Sequence, residues 1–148
     1  MTALPVAPVA DSIPASHVDL LARPVCGVLT TLLPDGAAQS SLVWVDFDGE
    51  CPRVNTTLER SKGRCMARDE RVSLLVVDPD DTSRFIAVRG VAELVFDGVV
   101  EHLDALTRRY TPYPCFYGHV YPAERQQQET RVIARIHPRR VTLDAIHR

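Results

Sequence analysis

Two turn signals constrain this chain more than any other feature. Pro34-Asp35-Gly36 and Asp48-Gly49 cut residues 24–57, PVCGVLTTLLPDGAAQSSLVWVDFDGECPRVNTT, into three short runs rich in Val, Leu, Thr and Phe. Asp-Gly between β-prone runs is a hairpin signal, because glycine tolerates the positive φ that a tight hairpin turn needs. The segment therefore predicts a three-stranded antiparallel meander. In its second strand Val43, Val45 and Phe47 share one face, and Leu42 and Trp44 share the other. A strand apolar on both faces is expected to be sandwiched or to lie at a subunit interface.

The rest of the chain extends that pattern. RVSLLVVD (71–78) is a continuous apolar run, expected to be a fully buried strand. RFIAVRGVAELVF (84–96) predicts a long strand with a bulge or bend at Gly90. TRVIARIHPRRVTLDAIH (130–147) predicts a last strand bent at Pro138. Three short helices are expected. SHVDLLAR starts with Ser16 as its N-cap and turns Val18, Leu20 and Leu21 inward. The second covers 59–69. The third, 98–110, carries Val99, Leu103 and Leu106 on one stripe, with His102 at the surface. Strands not separated by regular crossover helices exclude a doubly wound sheet. The fold class expected is mainly β, a six-stranded antiparallel closed or split barrel with a few short helices. Residues 1–15 are expected to be a flexible N-terminal segment, Pro- and Ala-rich, and 16–148 a single domain.

Composition narrows function. With 148 residues there is room for one core, and a pI near 6.2 argues against nucleic acid as a partner. Cys26, Cys51, Cys65 and Cys115 form no C-x-x-C pair, and no His spacing completes a metal site, so they are read as reduced and mostly buried. No apolar run reaches membrane-spanning length, and MTALPVAPVADSIP lacks the basic-then-apolar order of a secretory leader. A cytoplasmic location with no membrane partner is the expectation.

Against that acidic background, NTTLERSKGRCMARDE (55–70) stands out. Arg60, Lys62, Arg64, Arg68 and Arg71 crowd into one segment, and Lys62 is the sole lysine among 17 lysines and arginines. Arg60 and Lys62 fall at the start of the predicted helix. The helix dipole is positive there, so cations cost about 0.3–1 kcal/mol unless an anion joins them. Free first-turn amides already favour phosphate. Ser61 would add a hydroxyl, and Gly63 would leave the approach open. A bound phosphate accounts for this arrangement better than a solvated charged face does.

In order and spacing these segments resemble the pyridoxamine 5'-phosphate oxidase-like split-barrel proteins, and look closest to their deazaflavin-using branch. The resemblance covers roughly residues 16–143. It implies a homodimer with cofactor sites at the interface, and a cofactor that is the deazaflavin coenzyme F420 or alternatively FMN. It places the phosphate on Arg60 and Lys62, with Ser61, Arg64, Trp44, Asn55 and Thr57 as further cofactor-binding candidates. Trp44 would stack on the cofactor ring or pack at the dimer interface. The Arg64 and Arg68 charges favour the longer polyanionic deazaflavin over FMN. The chain has no counterpart of the C-terminal substrate-binding residues of true pyridoxamine phosphate oxidases, which argues against vitamin B6 chemistry. The function expected is an oxidoreductase moving hydride between coenzyme and a small organic substrate, or else a cofactor carrier, store or sensor. No catalytic side chain is nominated, because hydride transfer is the cofactor's own chemistry. Tyr110, Tyr113, Tyr117 and Tyr121 are expected to pack a loop core, and His119 to be an ordinary loop residue.

Overall fold

The computed structural model describes residues 11–144. One sheet organises them, built from β1 (Gly27–Leu32), β2 (Ala38–Val43), β3 (Asp46–Phe47), β4 (Pro52–Thr57), β5 (Arg71–Val77), β6 (Phe85–Val95) and β7 (Arg131–Leu143). Three helices accompany it, α1 (Val18–Ala22), α2 (Ser61–Arg68) and α3 (Val99–Tyr110). The sheet order is β2-β1-β5-β6-β7-β4-β3, with every neighbour antiparallel. The two edges, β2 and β3, are separated in sequence by Trp44 and Val45 alone. The chain thus steps directly from one edge to the other, and the sheet curls into a barrel split along that step. The expected six-strand barrel is present, with the two-residue β3 as a seventh.

The barrel is filled by alternate residues of its strands. Leu29, Val43, Val45, Val54, Val72, Leu74, Val76, Ile86, Val88, Ala134 and Ile136 are buried and form one cluster with Leu20, Leu21 and Met66 from the helices. Period-two alternation puts every second side chain on the core face. This overturns the reading of residues 71–78 as buried on both sides. Val72, Leu74 and Val76 are buried, while Ser73, Leu75 and Val77 are only half-covered. A barrel strand has one inner face, and here the outer one is also largely apolar. Val28 pairs with Leu42 on one side and Leu75 on the other, and Leu75 pairs with Ala87, giving an apolar row across four strands. Leu42, at its end, is 73% exposed.

Gly90 marks the expected bulge: the β6–β7 register shifts between Arg89 and Gly90, opposite Pro138. Local departures have local causes. Ser16 does not cap α1. Residues Ala15–His17 form a 3-10 turn, and the Ser16 hydroxyl meets His17 Nδ1 at 2.8 Å instead. Residues 1–10 of the expected loose segment lie outside the described residues. Asp11 and Ile13, from the same segment, are held: Asp11 accepts from the Val141 amide at 2.8 Å and Ile13 packs on the core. Cys51 and Cys65 are buried, Cys115 is half-buried, and Cys26 is exposed against expectation because it precedes β1 at the barrel rim. No helix among the described residues is long and apolar enough to cross a membrane.

Candidate anion pocket beside Trp44

β4 delivers the chain into α2 through Leu58–Arg60. Arg60 is the extended N-cap residue of α2, with no side-chain cap and no acidic residue in the first turn. The first-turn amides are therefore uncapped by the protein's side chains. α2 lies tight against the preceding strand. A Cβ on Gly63 would sit 1.9 Å from the Thr57 carbonyl oxygen, and Gly63 is buried. Glycine is required there by helix–strand contact, which corrects the expectation that it keeps a ligand's approach clear.

Beside this helix start is a cavity of about 250 Å³. Arg60, Lys62 and Arg131 supply its cations, and Trp44, Phe116 and Tyr121 its aromatic wall, with Asn55, Thr56, Cys26 and Leu42 among the remaining lining. Among the described residues no carboxylate and no imidazole lines it. Of the residues expected at a cofactor site, Arg60, Lys62, Trp44 and Asn55 are brought together. Ser61, Thr57 and Arg64 are not in the lining. The Ser61 hydroxyl donates to Gln39 Oε1 at 2.7 Å, and the buried Thr57 hydroxyl accepts from the Arg60 amide at 3.2 Å. Exposed Arg64 folds back onto the Glu59 carbonyl, and Arg68 donates to the Leu32 carbonyl. Both long side chains satisfy main-chain acceptors left open near the helix, so the surplus positive charge expected of them does not reach the pocket.

The remaining cations differ in their compensation. Arg131 is nearly buried and paired with Glu129 at 3.0 Å, and it donates to the Tyr117 hydroxyl at 2.9 Å. Arg60 donates to the Tyr121 hydroxyl and lies over that ring, 5.5 Å from its centre. Lys62 has no acidic partner among the described residues. Burial lowers its pKa below the ordinary lysine value, and the neighbouring Arg60 and Arg131 lower it further. One more polar atom is unsatisfied here: Thr56 Oγ1 is buried with no hydrogen-bond partner. Thr31 Oγ1, which lines neither cavity, is buried and unpaired in the same way, and both hydroxyls are sealed from solvent.

The aromatic wall has a structural and an open side. Trp44 stacks on Tyr110 at 5.4 Å, with the planes 11° apart, and meets Phe116 edge-on at 6.3 Å. The Tyr110 hydroxyl accepts from the Val45 amide at 3.0 Å and has the Val25 and Val45 carbonyls at 2.9 and 3.0 Å to donate to. It thus bridges the two strands just past the last β1–β2 pair, Gly27–Val43. Phe116 does form the loop core expected of the aromatics, with Tyr117 and Tyr121 around it. Tyr121 also belongs to the pocket. Exposed His119 stacks on Tyr113 and is not in the lining of this cavity.

Sequence reasoning missed Arg131, Tyr121, Thr56 and His102. His102, expected at the surface, is buried. It takes Asn55 Nδ2 on its Nδ1 at 3.1 Å and gives Nε2 to Asp46 Oδ2 at 3.1 Å. Asp46 is also clamped by Arg53 at 2.9 and 2.8 Å. Burial pushes the Asp46 carboxyl upward, but the hydrogen bonds from His102 and Arg53 outweigh it and hold the pKa below the ordinary value. Asn55 Oδ1 in turn accepts from Arg131 at 3.3 Å, so the wall of the pocket is tied to a buried ion pair.

A family model, Pyridoxamine 5'-phosphate oxidase, matches residues 13–143. Among solved structures, an F420 reductase is 32% identical with a TM-score of 0.74, covering 88% of this chain and 98% of its own. A conserved hypothetical protein from Mycobacterium tuberculosis is 28% identical with a TM-score of 0.68, covering 94% of this chain and 88% of its own. A putative pyridoxamine 5'-phosphate oxidase from Listeria innocua shares the fold at 20% identity and a TM-score of 0.58, over 80% of this chain and 86% of its own. No curated protein matches the chain.

Proposed function

Because the chain belongs to the pyridoxamine 5'-phosphate oxidase family, we propose that its pocket holds a phosphate-bearing flavin-type coenzyme, the deazaflavin F420 in preference to FMN, and that the protein is an oxidoreductase acting on a small organic substrate. One observation carries this reading. Arg60 and Lys62 line one cavity at an uncapped helix start, next to the indole of Trp44, and no carboxylate among the described residues joins them there. An anionic group attached to a flat ring is the ligand that such a lining suits. The preference for the deazaflavin rests on similarity to the F420 reductase, since Arg64 and Arg68 are turned away from the pocket.

The residues present suit such a group. Lys62 provides a compact charge and Arg60 a forked donor for phosphate oxygens. The Trp44 and Cys26 side of the cavity is left for the ring and substrate. When bound, the coenzyme supplies the hydride chemistry. The protein's part is to bind, orient and keep water from the ring, and the apolar lining from Leu103, Leu106, Phe116 and Val120 serves that exclusion.

A homodimer belongs to the same proposal. The apolar row Leu42–Val28–Leu75–Ala87 ends at exposed Leu42, which also lines the pocket. A second copy seated on that row would bury it and complete the cavity's open side. Leu42→Glu should then shift sedimentation from dimer to monomer and weaken coenzyme binding; a monomeric wild type would remove this part of the proposal.

The main test is fluorescence titration of the protein with F420 and with FMN, followed by mixing the reduced form of the bound coenzyme with a panel of enones and quinones. Saturable F420 binding with turnover supports the oxidoreductase. Saturable binding with no turnover across the panel favours a carrier or store. Tighter FMN binding overturns the deazaflavin preference, and binding of neither sinks the proposal.

A further inference from the structure

A second concavity, of about 770 Å³, lies on the outer face of the sheet and shares no lining residue with the Trp44 pocket. Arg71, Arg89, Arg139 and Arg140 line it, with the Thr30 and Ser73 side chains and one carboxylate, Asp11. Asp11 Oδ2 is engaged by the Val141 amide. Arg71 is paired with Asp69 at 2.7 Å. The side chains of Arg89, Arg139 and Arg140 have no hydrogen-bond or ion-pair partner among the described residues.

The backbone is shaped to gather these arginines. Arg89 lies directly opposite Arg140 across β6 and β7, and the next pair is Gly90 with Pro138. Arg139 is therefore the extra residue of a bulge. In a regular strand, consecutive side chains point to opposite faces. Here Arg139 and Arg140 are both exposed and both line the same hollow. Bulges re-aim side chains in this way. Gly90 permits it, since a Cβ there would meet the His137 carbonyl oxygen at 2.0 Å. Like charges placed directly opposite each other in a sheet are destabilising. A bound anion reverses the sign of that interaction.

We propose that this hollow is a second anion site, taking a small organic ligand with two or more adjacent carboxylates or phosphates. Arg89 on β6 and Arg139 and Arg140 on β7 line one hollow from strands about 4.8 Å apart, so three unpaired cations face it together, which suits a ligand with more than one anionic group. Ser73 is the cross-strand neighbour of Arg89 on β5, and Thr30, whose hydroxyl is bonded to Ser40 at 2.8 Å, is the next residue along on β1. The site is separate from the coenzyme pocket and does not depend on what that pocket holds.

Isothermal titration of the full chain at low salt tests it, with citrate as the polycarboxylate and pyrophosphate as the polyphosphate. Both are run on Lys62→Ala protein, so that binding at the Trp44 pocket is weakened. Saturable binding of either probe at one site per chain is expected. It should be weakened about tenfold or more when Arg89→Gln and Arg140→Gln are added, the loss of one to two charge-assisted hydrogen bonds. Citrate alone binding would identify a carboxylate site, and pyrophosphate alone a phosphate site. Because the double change relieves a repulsion, that protein should melt no lower than its parent without anion, and should lose the upward Tm shift that the probe gives. Absence of saturable binding by both probes, or equal affinity with and without the two arginines, overturns the proposal.

Discussion

Asn55 Nδ2 donates to His102 Nδ1 across 3.1 Å, and that contact fixes the ring as the tautomer with hydrogen on Nε2. The hydrogen bonds then run in one direction, from Arg131 to Asn55, to His102, to Asp46. His102→Phe keeps the ring volume but removes one partner each from Asn55, which keeps Val99 and Arg131, and from Asp46, which keeps Arg53. It should destabilise the fold by about 1–3 kcal/mol, the cost of leaving buried polar groups unsatisfied. Urea denaturation measures this. An unchanged midpoint would mean that the relay carries no stability.

The pocket's cations should be unequal. Lys62→Ala should weaken coenzyme binding by about 1.5–3 kcal/mol, the value for a hydrogen bond to a charged group, with the fold intact. Arg64→Ala should change affinity by less than about 0.5 kcal/mol, because that side chain lies outside the lining. Arg131→Gln should cost affinity as well as stability, since Glu129 and Asn55 both lose a partner. Fluorescence titration of the three variants side by side gives the ranking, and a larger loss in Arg64→Ala than in Lys62→Ala would overturn it.

Lys62 also sets a pH dependence. Burial, then Arg60 and Arg131, lower its pKa in the folded protein from the ordinary 10.5. The unfolded chain therefore holds that proton more tightly, and this residue's contribution to stability rises as pH climbs through the folded value towards 10.5. Anion binding has the opposite sign, because it needs the charged amine. Affinity for the coenzyme should begin to fall below pH 10.5 in the wild type. Lys62→Met should bind weakly, with none of that decline. Titrations across the alkaline range decide between the two profiles.

Gly63→Ala tests the helix–strand contact. The added methyl meets the Thr57 carbonyl, which is backbone and cannot swing aside. A loss of about 1–3 kcal/mol or more is expected, as for overpacking elsewhere. Thermal unfolding that matches the wild type would show that α2 can slide away from β4.

What could be read from the sequence was local. Asp-Gly turns and period-two alternation located the strands, and Gly90 and Pro138 announced the bulge, because these signals act within a few residues. Arg60 and Lys62 were legible for the same reason, as two cations out of place at a helix start. Arg131 was not, since its role depends on β7 lying beside β4 and so bringing it across from Thr57. His102 looked like a surface residue because its partners Asn55 and Asp46 are 47 and 56 residues away. The roles of Ser61, Gly63 and Arg64 went astray differently. Their positions were right, but Gln39, the Thr57 carbonyl and the Glu59 carbonyl had prior use of them.

Tyr110 is the tie at the end of a hairpin. Its hydroxyl bridges Val25 and Val45, just past the last β1–β2 pair Gly27–Val43, and its ring backs Trp44. Where those two strands part, one phenol takes over the hydrogen bonds that the ladder would have made, so the indole is seated by the same residue that ends the pairing.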